Sequence, residues 1–235
     1  VEYGFRALKL AHEIGDKGRI GNALGNLGNM YVQQVELVKT LEQPEKDSLL
    51  VKALNYSSQA LSNAIEMGDS LRICLNYGVI ATIYDLKTDY SKALGFHLEA
   101  LAIAKKTTYR QHEATILINL GKHFLARKQY IEAEKYLKQA LKISDDLELL
   151  VQQEEVNLKL SELYSQVDKH ELALKYYKDY IIARDSIYNE ESTKKNLRTT
   201  IQYDFDKKEA LADAEHKSEM EKQNAIAEEE KRRQK

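Results

Sequence analysis

Residues 77–101 read YGVIATIYDLKTDYSKALGFHLEAL, and this stretch decides the fold. Its apolar residues recur at intervals of three and four, the spacing of one face of an α-helix. They are Tyr77, Ile80, Ala81 and Tyr84 in the first half, and Tyr90, Ala93, Leu94, His97, Ala100 and Leu101 in the second. Only the short link at 86–89 separates the two halves, and a link of this length joins two helices as a tight antiparallel pair. The stretch therefore predicts a helical hairpin.

This hairpin pattern repeats along the chain with a period of 40 residues. The residues that mark the repeat are Ala53, Ala93, Ala133 and Ala173, then Ala60, Ala100 and Ala140, and upstream Tyr84, Phe124 and Tyr164. Near the start, the pair Ala7-Leu8 matches Ala60-Leu61 at a spacing of 53, which is one period plus an insertion of 13. The recurring small residues predict close helix crossings. The sequence therefore predicts a stack of hairpins.

The pattern L-G-x-x-Y, followed by Y-x-x-A-x-x-x-x-x-x-A-L, resembles the tetratricopeptide repeat. It stands here as Leu27-Gly28…Tyr31, as Ile80-Ala81…Tyr84 with Tyr90…Ala93…Ala100-Leu101, and as Leu120-Gly121…Phe124 with Tyr130…Ala133…Ala140-Leu141. The last unit departs from the pattern at Ser161, His170 and Tyr180. The long period resembles the variety found in bacterial peptide-sensing regulators and kinesin light chains. The resemblance implies an all-α fold, a right-handed α-α superhelix of about 4.5 hairpins that binds a protein or peptide segment.

The patterns place the repeat region at residues 1–189. We expect helices near 1–14, 18–39, 46–67, 70–87, 90–106, 110–127, 130–145, 148–166 and 170–189. The insertion falls at about 32–50 and contains Pro44, the only proline. Apolar residues before it predict extra turns on the first helix, followed by a break at Gln43-Pro44. Because residues 1–14 correspond to a second helix, we expect a piece of the repeat upstream.

Composition excludes several classes of protein. The 235 residues include one Pro, one Cys and no Trp, so a turn-rich β-fold, an internal disulfide and a multi-cysteine zinc site are excluded. No apolar run reaches the length of a membrane span, and no signal peptide is recognised. With a formal net charge of −2, no bulk attraction to nucleic acid is expected.

The chain changes character after Tyr188, because 23 of the 46 residues at 190–235 are charged. Leu197, Ile201 and Phe205 recur every four residues, and we expect a capping helix at 190–206 that covers the end of the solenoid. Residues 207–235 are expected to form a charged helical linker or a disordered tail. They do not sustain a heptad, which disfavours an autonomous coiled coil, although a homodimer through this C-terminal helix stays open.

The C-terminal part of the chain resembles a second group of proteins. Residues 180–191 and 203–210 resemble the end of the sensory half of bacterial membrane-anchored sensor histidine kinases and nucleotide cyclases, and 227–235 resembles their pre-membrane linker. This implies a signal-transduction protein whose output domain lies beyond Lys235 and whose only link to the membrane is a downstream span. The resemblance favours the extracytoplasmic side of the inner membrane, whereas the basic cluster at 231–235 favours the cytoplasmic side. Of the two, we expect the extracytoplasmic side.

The sequence shows no catalytic, metal or cofactor site. No two of the six histidines are three or four residues apart, so no single helix presents a two-histidine metal face. His97 and His170 occupy apolar positions of the repeat and are interpreted as packing residues. Cys74 has no histidine nearby in sequence to activate it as a nucleophile. We expect no enzyme activity and no cofactor in this chain.

The inner face of the first helices is the candidate binding surface. Its predicted ligand-binding residues are Asn22, Asn26, Asn29, Leu75, Val79, Thr82, Asn119, Lys122, Lys159 and Glu162. Amides carry both a donor and an acceptor, which suits the backbone of an extended peptide, and an apolar patch suits one anchoring side chain. The alternative is that polar residues merely solvate a concave wall. At the level of the molecule, the alternative is a structural or dimerisation scaffold without a separate ligand.

Overall fold

The structure is a computed structural model. It describes the backbone of residues 2–38 and 40–233, and their side chains except Asn196 and 203–233. The chain divides between Arg184 and Asp185 into two compact units. All regular secondary structure in the described residues is helical. None of the described helices combines the length and the apolar character that crossing a membrane requires.

The first unit is a stack of antiparallel hairpins. Its helices are α1 (Glu2–Ile14), α2 (Lys17–Leu37), α3 (Gln43–Glu66), α4 (Ser70–Leu86), α5 (Tyr90–Lys106), α6 (Arg110–Ala126), α7 (Tyr130–Asp146), α8 (Leu150–Gln166) and the start of α9 (His170–Arg233). Helix α1 is half a hairpin, and the pairs α2–α3, α4–α5, α6–α7 and α8–α9 follow it. The predicted all-α superhelix of about 4.5 hairpins is confirmed, and the bounds of α1 to α8 agree with the prediction to within three residues.

Short local signals fix where these helices begin and end. Asp16, Asp69 and Asp89 each precede a helix, and their carboxylates accept a hydrogen bond from the backbone N–H three residues later. Most connections have three residues, of which the middle one adopts a left-handed backbone. Those residues are Gly68, Thr88, Lys128, Glu148 and Asp168, with φ between 51° and 64°. This conformation reverses the chain at once, so consecutive helices pack side by side.

The hairpins are held together by alanines and by stacked aromatic rings. Ala53, Ala93 and Ala133 are fully buried where the second helix of a pair crosses the first. Each hairpin also contains one nearly parallel pair of rings with centroids 5.4–5.8 Å apart. The pairs are Tyr31–Tyr56, Tyr84–Phe96, Phe124–Tyr136 and Tyr164–Tyr176. The repeat in the sequence is therefore a repeat of packing.

The insertion of 13 residues is divided among the end of α2, the connection that follows it and the beginning of α3. Helix α2 has 21 residues and α3 has 24, whereas α4 to α8 have 17 each. Pro44 does not end a helix, because it stands in the first turn of α3, where its missing N–H has no helical acceptor. The prediction of a helix break at Gln43-Pro44 is therefore wrong. Most of the extra length is at the beginning of α3.

The second unit, Asp185–Lys235, is helical over its described backbone up to Arg233. The predicted helix end at 189 is wrong, since α9 continues without interruption. Leu197 and Ile201 are each 59% exposed, which is not the burial that a capping helix requires. Phe205 lies outside the described side chains. The cap at 190–206 therefore stays a prediction without support from these two residues.

Candidate functional site

The first helices of three successive hairpins, α2, α4 and α6, enclose a cavity of about 350 Å³, which we call the groove. Eight of the predicted ligand-binding residues line it together: Asn22, Asn26, Asn29, Leu75, Val79, Thr82, Asn119 and Lys122. Two others are not among its lining. Lys159 and Glu162 lie on α8 and form an ion pair with each other at 2.8 Å. The structure thus brings together the part of the predicted surface that α2, α4 and α6 supply.

One end of the groove is built from amides. Helix α2 presents Asn22, Asn26 and Asn29, all exposed, on the face opposite its buried side. Arg72 Nε donates to Asn22 Oδ1 at 2.8 Å, so one of the three amides has an intramolecular partner. Among the described residues, the side chains of Asn26 and Asn29 have no hydrogen-bond partner. These two amides are therefore available to a ligand.

Glycines on α2 let this helix approach α3 closely. A Cβ at Gly28 would collide with the hydroxyl of Ser57, and one at Gly21 would collide with the amide of Asn63. Neither glycine precedes a strand or opens a phosphate-binding loop, and both serve helix packing. Close packing of α2 on α3 therefore positions the amide end of the groove.

The middle of the groove is apolar. Leu75 is 43% exposed, and Val79 packs at the edge of a core cluster that contains Tyr31 and Val32. The hydroxyl of Thr82 donates to the carbonyl oxygen of Gly78 at 3.1 Å, so it is satisfied within α4. An apolar ligand group placed here would meet carbon atoms rather than competing polar groups.

The far end of the groove combines an amide with a positive charge. The side chain of Asn119 has no hydrogen-bond partner in the described part of the chain. Lys122 forms an ion pair with Glu155 at 3.2 Å. Burial lowers the pKa of Lys122, but the acidic groups Glu155, Glu36 and Asp85 outweigh that effect and raise the pKa above its ordinary value. Lys122 is therefore charged, and its charge is balanced by acidic neighbours.

A second cavity of about 180 Å³ adjoins the groove and shares Glu36, Thr82, Asn119 and Lys122 with it. Asp85 and His123 also line this cavity. His97 Nε2 lies 2.8 Å from Asp85 Oδ2, and His123 Nδ1 lies 2.6 Å from Asp85 Oδ1. An ionised carboxylate only accepts, so both imidazole nitrogens facing Asp85 carry the proton. We call Asp85, His97 and His123 the His–Asp–His cluster.

This cluster was not predicted from the sequence, because its members come from three helices, α4, α5 and α6. A search for two histidines on one helix cannot detect them. His97 is buried as predicted, but it also hydrogen-bonds Asp85. The prediction that His170 is a packing residue is wrong, since it is exposed at the start of α9. A signal was present in the repeat, because polar residues occupy three positions that are apolar 40 residues later.

Cys74 has the environment of a structural cysteine. It is 1% exposed, and its thiol donates to the carbonyl oxygen of Ala100 at 3.4 Å. Burial raises the pKa of this thiol to about 11, so at neutral pH it is protonated and a poor nucleophile.

Comparisons with known proteins support the fold. Residues 71–146 match the model of the tetratricopeptide repeat family. A comparison with curated proteins finds no match. Among solved structures, the chain is similar to BtubC (BKLC) from P. vanneervenii, with a TM-score of 0.54 and 14% identity over 79% of this chain and 88% of that one.

The chain is also similar to aspartyl phosphate phosphatase F from Bacillus subtilis, with a TM-score of 0.57 and 16% identity. The aligned part is 79% of this chain and 49% of the phosphatase, so this chain spans about half the length of that protein. At these identities the likeness concerns the fold alone. Residues 71–146 thus match the tetratricopeptide repeat family, and the helical hairpins on either side of them repeat the same arrangement.

Proposed function

We propose that the groove binds an extended peptide or protein segment, and that this chain is a recognition module rather than an enzyme. The tetratricopeptide repeat is in general a fold for protein–protein interaction. The observation that carries the proposal is that eight of the side chains predicted from the sequence to bind a peptide line one cavity.

The distribution of chemistry along the groove suits a peptide backbone. An extended segment presents N–H and C=O groups that lose water on binding and need partners. The amides of Asn26 and Asn29 at one end and Asn119 at the other can each donate and accept. Two ends separated by an apolar middle would hold a backbone along its length rather than at a single point.

The middle of the groove indicates which side chain the segment carries. Leu75 and Val79 offer apolar surface, and the polar group of Thr82 is already satisfied. We propose that one aliphatic or aromatic side chain of the ligand lies over them, since apolar contact enclosed by polar rims is typical of interface hot spots.

The charges indicate that the segment is not strongly charged. Arg72 forms an ion pair with Asp69 at 3.3 Å, and Lys122 forms one with Glu155. Both cations in the groove are therefore partly neutralised by their own neighbours. We infer that specificity comes from the backbone and one apolar anchor, and that salt affects the affinity weakly.

The proposal is tested with a peptide selected from a display library on the wild-type protein. Its affinity is then measured by fluorescence anisotropy for Asn26→Ala and Asn119→Ala. A buried peptide group left without its partner costs about 1–3 kcal/mol, so each variant should bind roughly 5- to 150-fold more weakly. Leu75→Asp should also weaken binding, because it places a charge against the apolar anchor.

Asn55→Ala is the matched control, because Asn55 is exposed on α3 and does not line the groove. It should bind the peptide like the wild type. If both groove variants retain wild-type affinity, the groove is not the site. If the groove is instead filled by a second copy of the chain, light scattering will show a dimer that Leu75→Asp dissociates.

The signalling role is a further part of the proposal and rests on the resemblance of residues 180–191 and 203–210. In this signalling role, binding of the peptide in the groove would regulate an output domain encoded beyond Lys235. The coding sequence downstream of Lys235 tests it. A hydrophobic span followed by kinase or cyclase motifs would support it, and a stop codon would contradict it.

A further inference from the structure

We propose that the His–Asp–His cluster binds a divalent transition-metal ion such as Zn²⁺. None of the three cluster residues lines the groove itself, and the proposal does not depend on peptide binding. It rests on the position of three side chains, on their burial, and on a comparison between neighbouring repeats.

The three side chains converge on one point from three helices. The potential ligand atoms of Asp85, His97 and His123 all lie within 4.8 Å of one another. The carboxylate presents one oxygen to each imidazole, at 2.8 Å and 2.6 Å. Ligands at the usual zinc distance of about 2.0–2.1 Å in a tetrahedron are about 3.3 Å apart. Small side-chain rotations would therefore turn the two hydrogen bonds into a chelate.

The neighbouring repeat shows that the fold does not need polar residues at these positions. Forty residues later, the same three places in the next hairpin junction are occupied by Leu125, Leu137 and Leu163, all buried. Three leucines are therefore sufficient to pack an equivalent junction. Packing alone therefore does not explain why this junction contains a carboxylate and two imidazoles.

Hydrogen bonding does not supply that explanation. The side chains of both histidines are 0% exposed, and Asp85 is 21% exposed. His97 Nδ1 and His123 Nε2 are buried and have no hydrogen-bond partner in the described part of the protein. Each imidazole thus gives up water at two nitrogens and regains a partner at only one, which costs stability. Such a cluster is expected where the free energy of metal coordination, at the nitrogens that face Asp85, offsets this cost.

The ligand types select the class of metal. Two imidazoles and one carboxylate suit zinc and its neighbours Co²⁺ and Ni²⁺, whereas Ca²⁺ and Mg²⁺ prefer oxygen ligands. On binding, the proton of each coordinating nitrogen moves to the other nitrogen of the same ring. Three protein ligands leave the fourth position open, and the adjoining 180 Å³ cavity lies beside Asp85 and His123.

Lys122 is the charge that opposes cation binding, since it lines the same cavity. Its ion pair with Glu155 and the nearby carboxylate of Glu36 offset its charge. Asp85 supplies a further negative charge within the site itself.

The test uses the whole chain, freed of metal with a chelator and titrated with Co²⁺ and Zn²⁺. We expect one Co²⁺ per chain with the intense visible absorption of a four-coordinate ion, and displacement of Co²⁺ by Zn²⁺. A triple variant, Asp85→Leu, His97→Leu and His123→Leu, gives this junction the three leucines of the next one. This variant should fold and bind at least about 100-fold more weakly, more than loss of an outer-shell partner costs.

His170→Gln is the control, because His170 is exposed and distant in sequence from the cluster. It should retain the wild-type stoichiometry and affinity. Absence of Co²⁺ absorption in the wild type would overturn the proposal. Equal binding by the triple-leucine variant would overturn it as well, because the metal would then be bound elsewhere.

A measurement on the wild type keeps the proposal testable if the triple variant does not fold. Long-range ¹H–¹⁵N correlation reports which nitrogen of each imidazole carries the proton. Without metal, His97 should be protonated at Nε2 and His123 at Nδ1. With Zn²⁺, the protons should be at His97 Nδ1 and His123 Nε2. Unchanged tautomers at saturating Zn²⁺ would exclude coordination by these residues.

Discussion

Ala133 shows how little space there is where two helices cross. It is fully buried between α6 and α7, at the position that recurs every 40 residues. Ala133→Leu should overpack this crossing and lower the free energy of unfolding by about 1–3 kcal/mol, measured by urea denaturation. Lys142→Leu places the same side chain on the exposed face of α7 and should leave the midpoint nearly unchanged. Equal midpoints for the two variants would show that Ala133 does not lie at the crossing.

Cys74 gives a prediction about pH. Burial raises the pKa of its thiol from the ordinary value of 9.0 to about 11 in the folded protein. The unfolded chain therefore releases this proton at lower pH than the native chain. Stability contributed by Cys74 is fully present below pH 9 and is lost between about pH 9 and pH 11. Cys74→Ala should lose less stability over that interval, as measured by thermal unfolding. An identical pH profile would mean that the thiol is accessible to water.

At the scale of the elements, the turns carry strain that glycine would relieve. Thr88 and Gly68 occupy the same position in their turns, with φ of 60° and 64°. A β-branched residue is disfavoured in this conformation. Thr88→Gly should therefore stabilise the protein by about 1 kcal/mol, and Gly68→Thr should destabilise it by a similar amount, measured by thermal unfolding. A lower midpoint for Thr88→Gly would contradict the left-handed turn.

The helices were predictable from the sequence because each one repeats an apolar pattern in phase with the equivalent helices of the other hairpins. Two features were not. Pro44 lies in the first turn of α3. In the sequence alone, a proline in the first turn of a helix cannot be told from a proline that follows the end of the preceding helix. The continuation of α9 past Tyr188 was also missed, since a loss of apolar periodicity removes the packing signal without removing helix propensity.

At the scale of the molecule, the two units should differ in their contribution to stability. Leu197 and Ile201 are exposed, so little apolar surface would be lost by removing them. Chains that end at residue 206 and at residue 193 should therefore unfold at nearly the same temperature, as measured by calorimetry. A lower midpoint for the shorter chain would support the capping helix at 190–206 instead.

Of the two sites, the groove was predictable from the sequence. It uses one face of several equivalent helices, so equivalent positions of the repeat were sufficient to predict Asn26, Val79 and Asn119. The His–Asp–His cluster depends on where α4, α5 and α6 meet. Its members are 12 and 26 residues apart, and no periodic pattern on a single helix connects them.

The correspondence between the cluster and Leu125, Leu137 and Leu163 has a consequence for engineering. Because each junction repeats the geometry of the one before it, a local arrangement of side chains is portable along the solenoid. Leu125→Asp, Leu137→His and Leu163→His would transplant the carboxylate and both imidazoles one period further. A metal-chelating site could thus be introduced at a chosen hairpin junction, whatever the position of that junction in the chain.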